Sequence, residues 1–213
     1  MSRLGTKVAL GYDRSMTGLA EDNAPAYDAP MTKAEFLRWV QGQPDGHYEF
    51  KNGKVIMHPG GSRRHANIIS AFVGLLRNSL DLDRWSVVPT EFAVEIGPDI
   101  RYPDILVEHA SQEGHALSTE APVVLVEVLS PSSVGTDMTV KLAEYTSLPS
   151  LEAYIVASQD EPICWIWQRG GEARSFPSKP VEIKGRDTTI EIVALSVSLP
   201  LAEIYRGIGP VQI

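Results

Sequence analysis

Two carboxylates beside apolar runs, and a lysine soon after the second, are the residues of this chain whose types and spacing could do chemistry. Arg101-Tyr102-Pro103-Asp104 leads into Ile105-Leu106-Val107, and Val123-Val124-Leu125-Val126 ends in Glu127-Val128-Leu129-Ser130-Pro131-Ser132. A segment carrying Asp137, Lys141 and Tyr145 follows. Carboxylates at the ends of neighbouring strands can hold a hard divalent cation. A cation held that way can activate water against a phosphodiester.

Each residue also has a plainer reading. In a strand ending at Glu127, Val124, Val126 and Val128 share one face, and Val123, Leu125 and Glu127 share the other. Glu127 therefore lies on a face with core residues, which is costly unless the acid is paired, protonated or metal-bound. A wet strand end would equally explain it. Pro-Asp at Asp104 is common in turns. Asp137, Lys141 and Tyr145 recur every four residues and share a helix face, so Asp137 and Lys141 could simply be a surface ion pair. What distinguishes them is the connection. Ser130-Pro131-Ser132-Ser133 turns the chain from the Glu127 strand into this helix, which would carry Lys141 back over the strand ends.

The surrounding elements follow from pattern. Residues 1–29 mix Gly, Asp, Pro and Ala without period and read as an N-terminal arm. The rest, 30–213, reads as one domain. Thr32-Lys33-Ala34-Glu35 is a capping box opening a helix with Phe36, Leu37 and Val40 on one stripe. Gln43-Pro44-Asp45-Gly46 is a turn signal. His47 to Met57 is a hairpin around Asn52-Gly53, and His58-Pro59-Gly60-Gly61 breaks it. Ser62 caps a helix to about Leu80, with Ile69, Phe72, Val73, Leu76 and Leu80 at helical spacing. His65 falls on that stripe, as a core histidine or one facing a cleft. The period then changes to two. Strands are expected over Val87–Ile96, Ile100–Glu108 and Pro122–Leu129, the last apolar throughout and hence central. A helix over Ser133–Thr146, with Val140 and Leu142 turned to the core, precedes strands at Leu151–Val156, Ile163–Trp167 and Thr188–Val193. A helical turn closes at Leu201–Tyr205. Helices and a mixed sheet in this order make an α+β (α/β-like) domain.

Composition narrows the function. The 213 residues suffice for one sizeable core. No run approaches a membrane span and no secretory signal is visible. A lone cysteine, Cys164, excludes an internal disulfide and fits a reducing, cytoplasmic setting. It sits in an apolar strand with no base beside it, so a covalent intermediate is not implied. The net charge of −8 argues against tight non-specific binding of nucleic acid. Arg63-Arg64 reads as a solvated helix start. Tyr154, Trp165 and Trp167 read as packing residues rather than a base-stacking platform.

Taken together, Arg101-Tyr102-Pro103-Asp104, the block Glu127 to Ser132, and Asp137, Lys141 and Tyr145 resemble the Uma endonuclease family of the PD-(D/E)XK restriction-endonuclease superfamily. Phe36-Leu37, Tyr48-Glu49, Asn52-Gly53, His65, Pro149-Ser150-Leu151 and Tyr154 agree with that pattern, which spans about Thr32 to Tyr205. The resemblance implies a restriction-endonuclease-like mixed sheet flanked by helices. It implies Asp104 and Glu127 as ligands of Mg²⁺ or Mn²⁺, the Val128 backbone carbonyl as a third ligand, and Lys141 as the catalytic lysine. The superfamily's usual lysine, two residues after the acid, is absent because Leu129 stands there. Glu49, His65, Asp137, Tyr145 and Arg101 are secondary candidates, Glu49 as an outer ligand. The expected activity is metal-dependent hydrolysis of nucleic acid, DNA foremost, by a homodimer without membrane association. A catalytically inactive binding protein of the same fold and a hydrolase of small phosphodiesters are the alternatives.

Overall fold

The structure is a computed structural model and describes residues 31–43, 47–58, 61–111, 113–129, 136–172 and 174–209. The expected arm at 1–29, the turn at 44–46, the breaker at 59–60, the connection at 130–135 and the side chain of Asp137 lie outside the described residues.

Helix α1 (Lys33–Val40) begins with the expected capping box: Thr32 accepts from the Glu35 N–H, and the Glu35 carboxylate accepts from the Thr32 N–H at 2.7 Å. Strands β1 (His47–Lys51) and β2 (Lys54–His58) form the hairpin. Its turn needs left-handed backbone, and Asn52 (φ 51) and Gly53 (φ 76) supply it. Helix α2 (Arg63–Ser79) follows, with Ser62 capping the His65 N–H and Ile68, Ile69, Phe72 and Leu76 buried.

The next two expected strands are each broken in two. Val87–Ile96 divides into β3 (Trp85–Pro89) and β4 (Ala93–Ile96), with Thr90 in left-handed conformation (φ 45) between them. Ile100–Glu108 divides into β5 (Asp99–Arg101) and β6 (Ile105–His109), interrupted at Tyr102-Pro103. The halves belong to different sheets. At Thr90 the alternation continues through the break, so side-chain period alone reports one strand there; at Tyr102-Pro103 the proline is the local mark of the break.

After the two-residue strand β7 (Ser118–Thr119) comes β8 (Val124–Val128), buried at every position as expected of a central strand. The expected helix over Ser133–Thr146 is described as a π-helical segment, Thr136–Lys141, running into α3 (Leu142–Thr146). Val140 departs from expectation: it is exposed, while Leu142 packs inward. Strands β9 (Ala153–Ala157), β10 (Ile163–Gln168), β11 (Val181–Lys184), β12 (Thr189–Ile192) and β13 (Val197–Pro200) lead to α4 (Leu201–Ile204).

One six-stranded sheet has the order β11-β10-β9-β8-β6-β3; a five-stranded sheet has the order β2-β1-β5-β4-β7. Strands β8 and β9 are parallel, so the chain must cross over between them. The π segment and α3 make that crossover. Side-chain parity sorts the core into layers. Val124, Val126 and Val128 pack with Ile68, Phe72, Leu76 and α4, while Leu125 packs with Tyr145, Tyr154 and Trp167, together with Val94 and Ile96 of the other sheet. Phe50, Ala93 and Ile100 pack against Phe36 on the far side of the five-stranded sheet. This is an α+β architecture in which α3 and an apolar layer lie between two sheets. Tyr154 and Trp167 are core residues, as expected, and Trp165 hydrogen-bonds Glu182.

Candidate active site

Strands β6 and β8 run antiparallel with Ile105 opposite Val126. Extending that register by one residue sets Asp104 opposite Glu127, where Cβ atoms are about 5 Å apart. Both acids lie on the Leu106/Leu125 face, the one α3 covers. The break at Tyr102-Pro103 thus delivers Asp104 to the start of β6. Its backbone carbonyl accepts from the Thr90 N–H at 2.9 Å, and its Oδ2 accepts from the Val128 N–H at 2.7 Å. The acid is therefore held from both ends.

Glu127 is 3% exposed and is not a wet strand end. Its Oε1 accepts from the Lys141 ammonium at 3.0 Å and from the Tyr145 hydroxyl at 2.9 Å. Four-residue spacing puts these two donors on one helix face, and the crossover turns that face onto the strand end. Burying a carboxylate requires such partners. Lys141 is itself 7% exposed, so this is a buried pair and not a surface one. Tyr145 is completely buried; burial, then the charges of Glu127 and Glu49, push its hydroxyl well above the usual phenol range. It stays a neutral donor.

The five-stranded sheet supplies the outer wall. Phe50 pairs with Ile100, and both face α1. Their neighbours Glu49 and Arg101 consequently point the other way, toward Lys141. Glu49 lies 3.9 Å from the Lys141 Nζ and forms a close ion pair with Arg101. Arg101 also donates from Nε and Nη2 to the two oxygens of Glu144, at 2.8 and 3.1 Å. Lys51 reaches the same acid at 2.6 Å. Burial opposes charge on Arg101, but the hydrogen bonds to Glu144 and the charges of Glu49 and Glu144 hold its guanidinium above the ordinary range. Burial likewise opposes ionisation of Glu144, but Arg101 and Lys51 outweigh it and keep its carboxyl below the usual value.

His65 is the histidine that faces the cleft. Its Nε2 lies 3.2 Å from Asp104 Oδ2. Ser62 fixes the helix start by accepting from the His65 N–H and donating to Gln159 at 2.6 Å. A Cβ at Gly61 would meet the His65 ring at 2.6 Å, so glycine makes room for it. Arg63 is exposed as expected. Arg64 is not simply solvated, because it is half-buried and donates to the Gly209 carbonyl.

The structure thus brings together Glu127, Lys141, Tyr145, Glu49 and Arg101, and sets Asp104 with His65 beside the Val128 N–H. Glu144 and Lys51 complete the cluster and were missed in the sequence. Glu144 follows Lys141 by three positions, the one local signal for it. Among the described residues no group of three or more His, Cys, Asp or Glu side chains is arranged to hold a metal. The donor set still suits Mg²⁺ or Mn²⁺: hard carboxylate oxygens, with backbone and water to fill the sphere. Mg²⁺ keeps several waters and takes only one or two carboxylates. Four acids around the cleft (Glu49, Asp104, Glu127, Glu144) against three permanent cations (Lys51, Arg101, Lys141) leave room for added positive charge. Among the described residues no helix is long and apolar enough to cross a membrane.

Comparison with known proteins bears on the family and the fold. The Uma2 family model, described as a putative restriction endonuclease, matches residues 34–202. Two uncharacterized proteins of Synechocystis sp. are similar in sequence. One, slr1290, is 24% identical over 182 residues, covering 84% of this chain and 93% of its own. The other, sll1609, is 25% identical over 134 residues, covering 61% and 75%. The crystal structure of a putative nuclease belonging to DUF820 from Anabaena variabilis superposes with a TM-score of 0.65 at 19% identity, over 83% of this chain and 98% of that one. At that identity the match speaks for the fold.

Proposed function

Starting from a chain that belongs to the Uma2 family, described as a putative restriction endonuclease, we propose that it is a metal-dependent endonuclease hydrolysing phosphodiester bonds of nucleic acid, DNA foremost. The observation that supports this reading is the ammonium of Lys141 resting on Glu127, one residue before the Val128 N–H from which Asp104 accepts. Asp104 and Glu127, with the Val128 carbonyl, would hold Mg²⁺ or Mn²⁺. Such an ion supplies Lewis acidity and a bound water of lowered pKa.

The chain's own groups do the rest. Tyr145 and Lys141 both donate to one oxygen of Glu127, which fixes the plane of that carboxylate. The Val128 N–H fixes Asp104 in the same way. Lys141 orients the attacking water and offsets negative charge developing on the phosphate. His65, beside Asp104, stands where it can contact a phosphate oxygen.

Plasmid nicking tests the proposal. Supercoiled DNA with Mg²⁺ or Mn²⁺ should be cleaved by the natural protein, not in EDTA, and not by Asp104→Ala or Lys141→Ala. Equal cleavage by protein and variants would defeat it. Turnover of bis-p-nitrophenyl phosphate with no cleavage of DNA or RNA would instead mark a hydrolase of small phosphodiesters.

A further inference from the structure

Lys141 stands between two buried acids and hydrogen-bonds one of them. Glu127 lies at 3.0 Å from its Nζ and Glu49 at 3.9 Å. Two carboxylates of equal charge and similar burial compete for one ammonium, so something must decide the contest. Arg101 is the group placed to do so. It is 2% exposed, lies directly across β1 and β5 from Glu49, and binds Glu49 through Nη1. Its remaining donors form a fork on Glu144, on the helix that carries Lys141.

From these contacts we infer that Arg101 is a positioning residue for Lys141. By neutralising Glu49 it leaves the ammonium to Glu127, and by gripping Glu144 it sets the helix that delivers it. The kinetic consequence rests on the nuclease reading above; the structural consequence does not. Lysine could not replace it, because only a planar guanidinium binds one acid with two donors and a second acid with another. Lys51 also holds Glu144, so truncating Arg101 leaves the helix one tether and confines the main effect to Glu49. Arg101 and Lys141 both form ion pairs with Glu49. Without Arg101, Glu49 draws the ammonium away from Glu127.

The test compares the natural protein, Arg101→Met, and Arg101→Met combined with Glu49→Gln, by crystallography and by nicking kinetics with Mn²⁺. In Arg101→Met the Lys141 Nζ should leave Glu127 for Glu49, and kcat should fall about tenfold to a hundredfold with KM little changed. In the double variant Nζ should return to Glu127 and most of kcat should recover, which a merely structural arginine would not produce. An Nζ that stays on Glu127 in Arg101→Met, or a double variant no better than the single, overturns the inference. If the natural protein does not cleave, the nuclease reading fails while the position of Nζ still decides this one. Should Arg101→Met not fold, the uncharged Arg101→Gln carries the test with the same expected shift of Nζ, and an unmoved Nζ overturns the inference.

Discussion

Replacing Lys141 by Met makes the sharpest demand on the site. The change keeps the length and apolar stem of the side chain and deletes the charge. Glu127, 3% exposed, then loses its ionic partner and keeps the Tyr145 hydroxyl. Glu49 loses its more distant cation and keeps Arg101. Removing one partner of a buried pair costs roughly 3–5 kcal/mol, and the surviving hydroxyl argues for about 3 kcal/mol here. For a domain of this size that is a drop in Tm of roughly 6–12 °C. Thermal melts followed by circular dichroism, without metal, measure it. A second arm adds Mn²⁺. At a hundredfold excess over Kd a ligand of the native state adds about 2.7 kcal/mol. The increment should be larger in Lys141→Met, where no ammonium competes for Glu127. Nicking should vanish in the variant whether or not Mn²⁺ restores its Tm. A variant that melts within about 2 °C of the natural protein would refute the buried pair. One that also gains no more from Mn²⁺ would refute Glu127 as a ligand.

Tyr145→Phe removes one hydrogen bond to a buried carboxylate and should cost roughly 1.5–3 kcal/mol in urea denaturation; a change under about 0.5 kcal/mol would mean the hydroxyl is not needed there. Because Arg101 and Lys51 outweigh burial and hold the Glu144 carboxyl below its ordinary 4.5, its stabilisation is complete above that value and is lost as pH falls through the lower folded one. Urea melts of the natural protein and Glu144→Gln should therefore differ most above about pH 5 and converge in acid; a gap that widens on acidification would show the sign to be wrong. Burial pushes the Cys164 thiol up to about 12, so Ellman's reagent should leave the native protein unmodified near neutral pH and titrate one thiol in guanidinium.

Much of this arrangement was legible in the sequence, and the reasons differ by element. Thr32-Lys33-Ala34-Glu35, Asn52-Gly53 and Ser62 are local signals whose chemistry is complete within a few residues, and each marks the element boundary found. The apolar run before Glu127 reports a central strand because both faces must be covered. Strand parity put Glu127 on a buried face, and four-residue spacing put Lys141 and Tyr145 together. Four features were not legible. The change of sheet at Thr90 preserves alternation, so nothing in the period betrays it. The π-helical turn before Lys141 depends on how the crossover fits between the sheets. His65 shares its stripe with core residues, and only tertiary placement of Asp104 pulls it into the cleft. Glu144 reads as helix surface until β1 and β5 bring Lys51 and Arg101 to it.

The break at Tyr102-Pro103 ties these features together. Arg101 ends a strand of one sheet and Asp104 immediately precedes a strand of the other, with two residues between them. The acid that faces Glu127 and the cation that faces Glu49 are therefore set by one short segment. Proline fixes its own φ at about −65° and disfavours helical backbone at Tyr102, which suits a segment that must span the gap. Parity then does the sorting on each side. Ile100 turns toward α1, so Arg101 turns toward the crossover; Ile105 turns toward α2, while Asp104 reaches the Val128 N–H and His65. Side chains from two sheets converge on α3 because hydrophobic neighbours one position away are committed to opposite cores. The same apolar packing that closes the fold thus aims the polar groups, and a one-residue slip of either strand would exchange them.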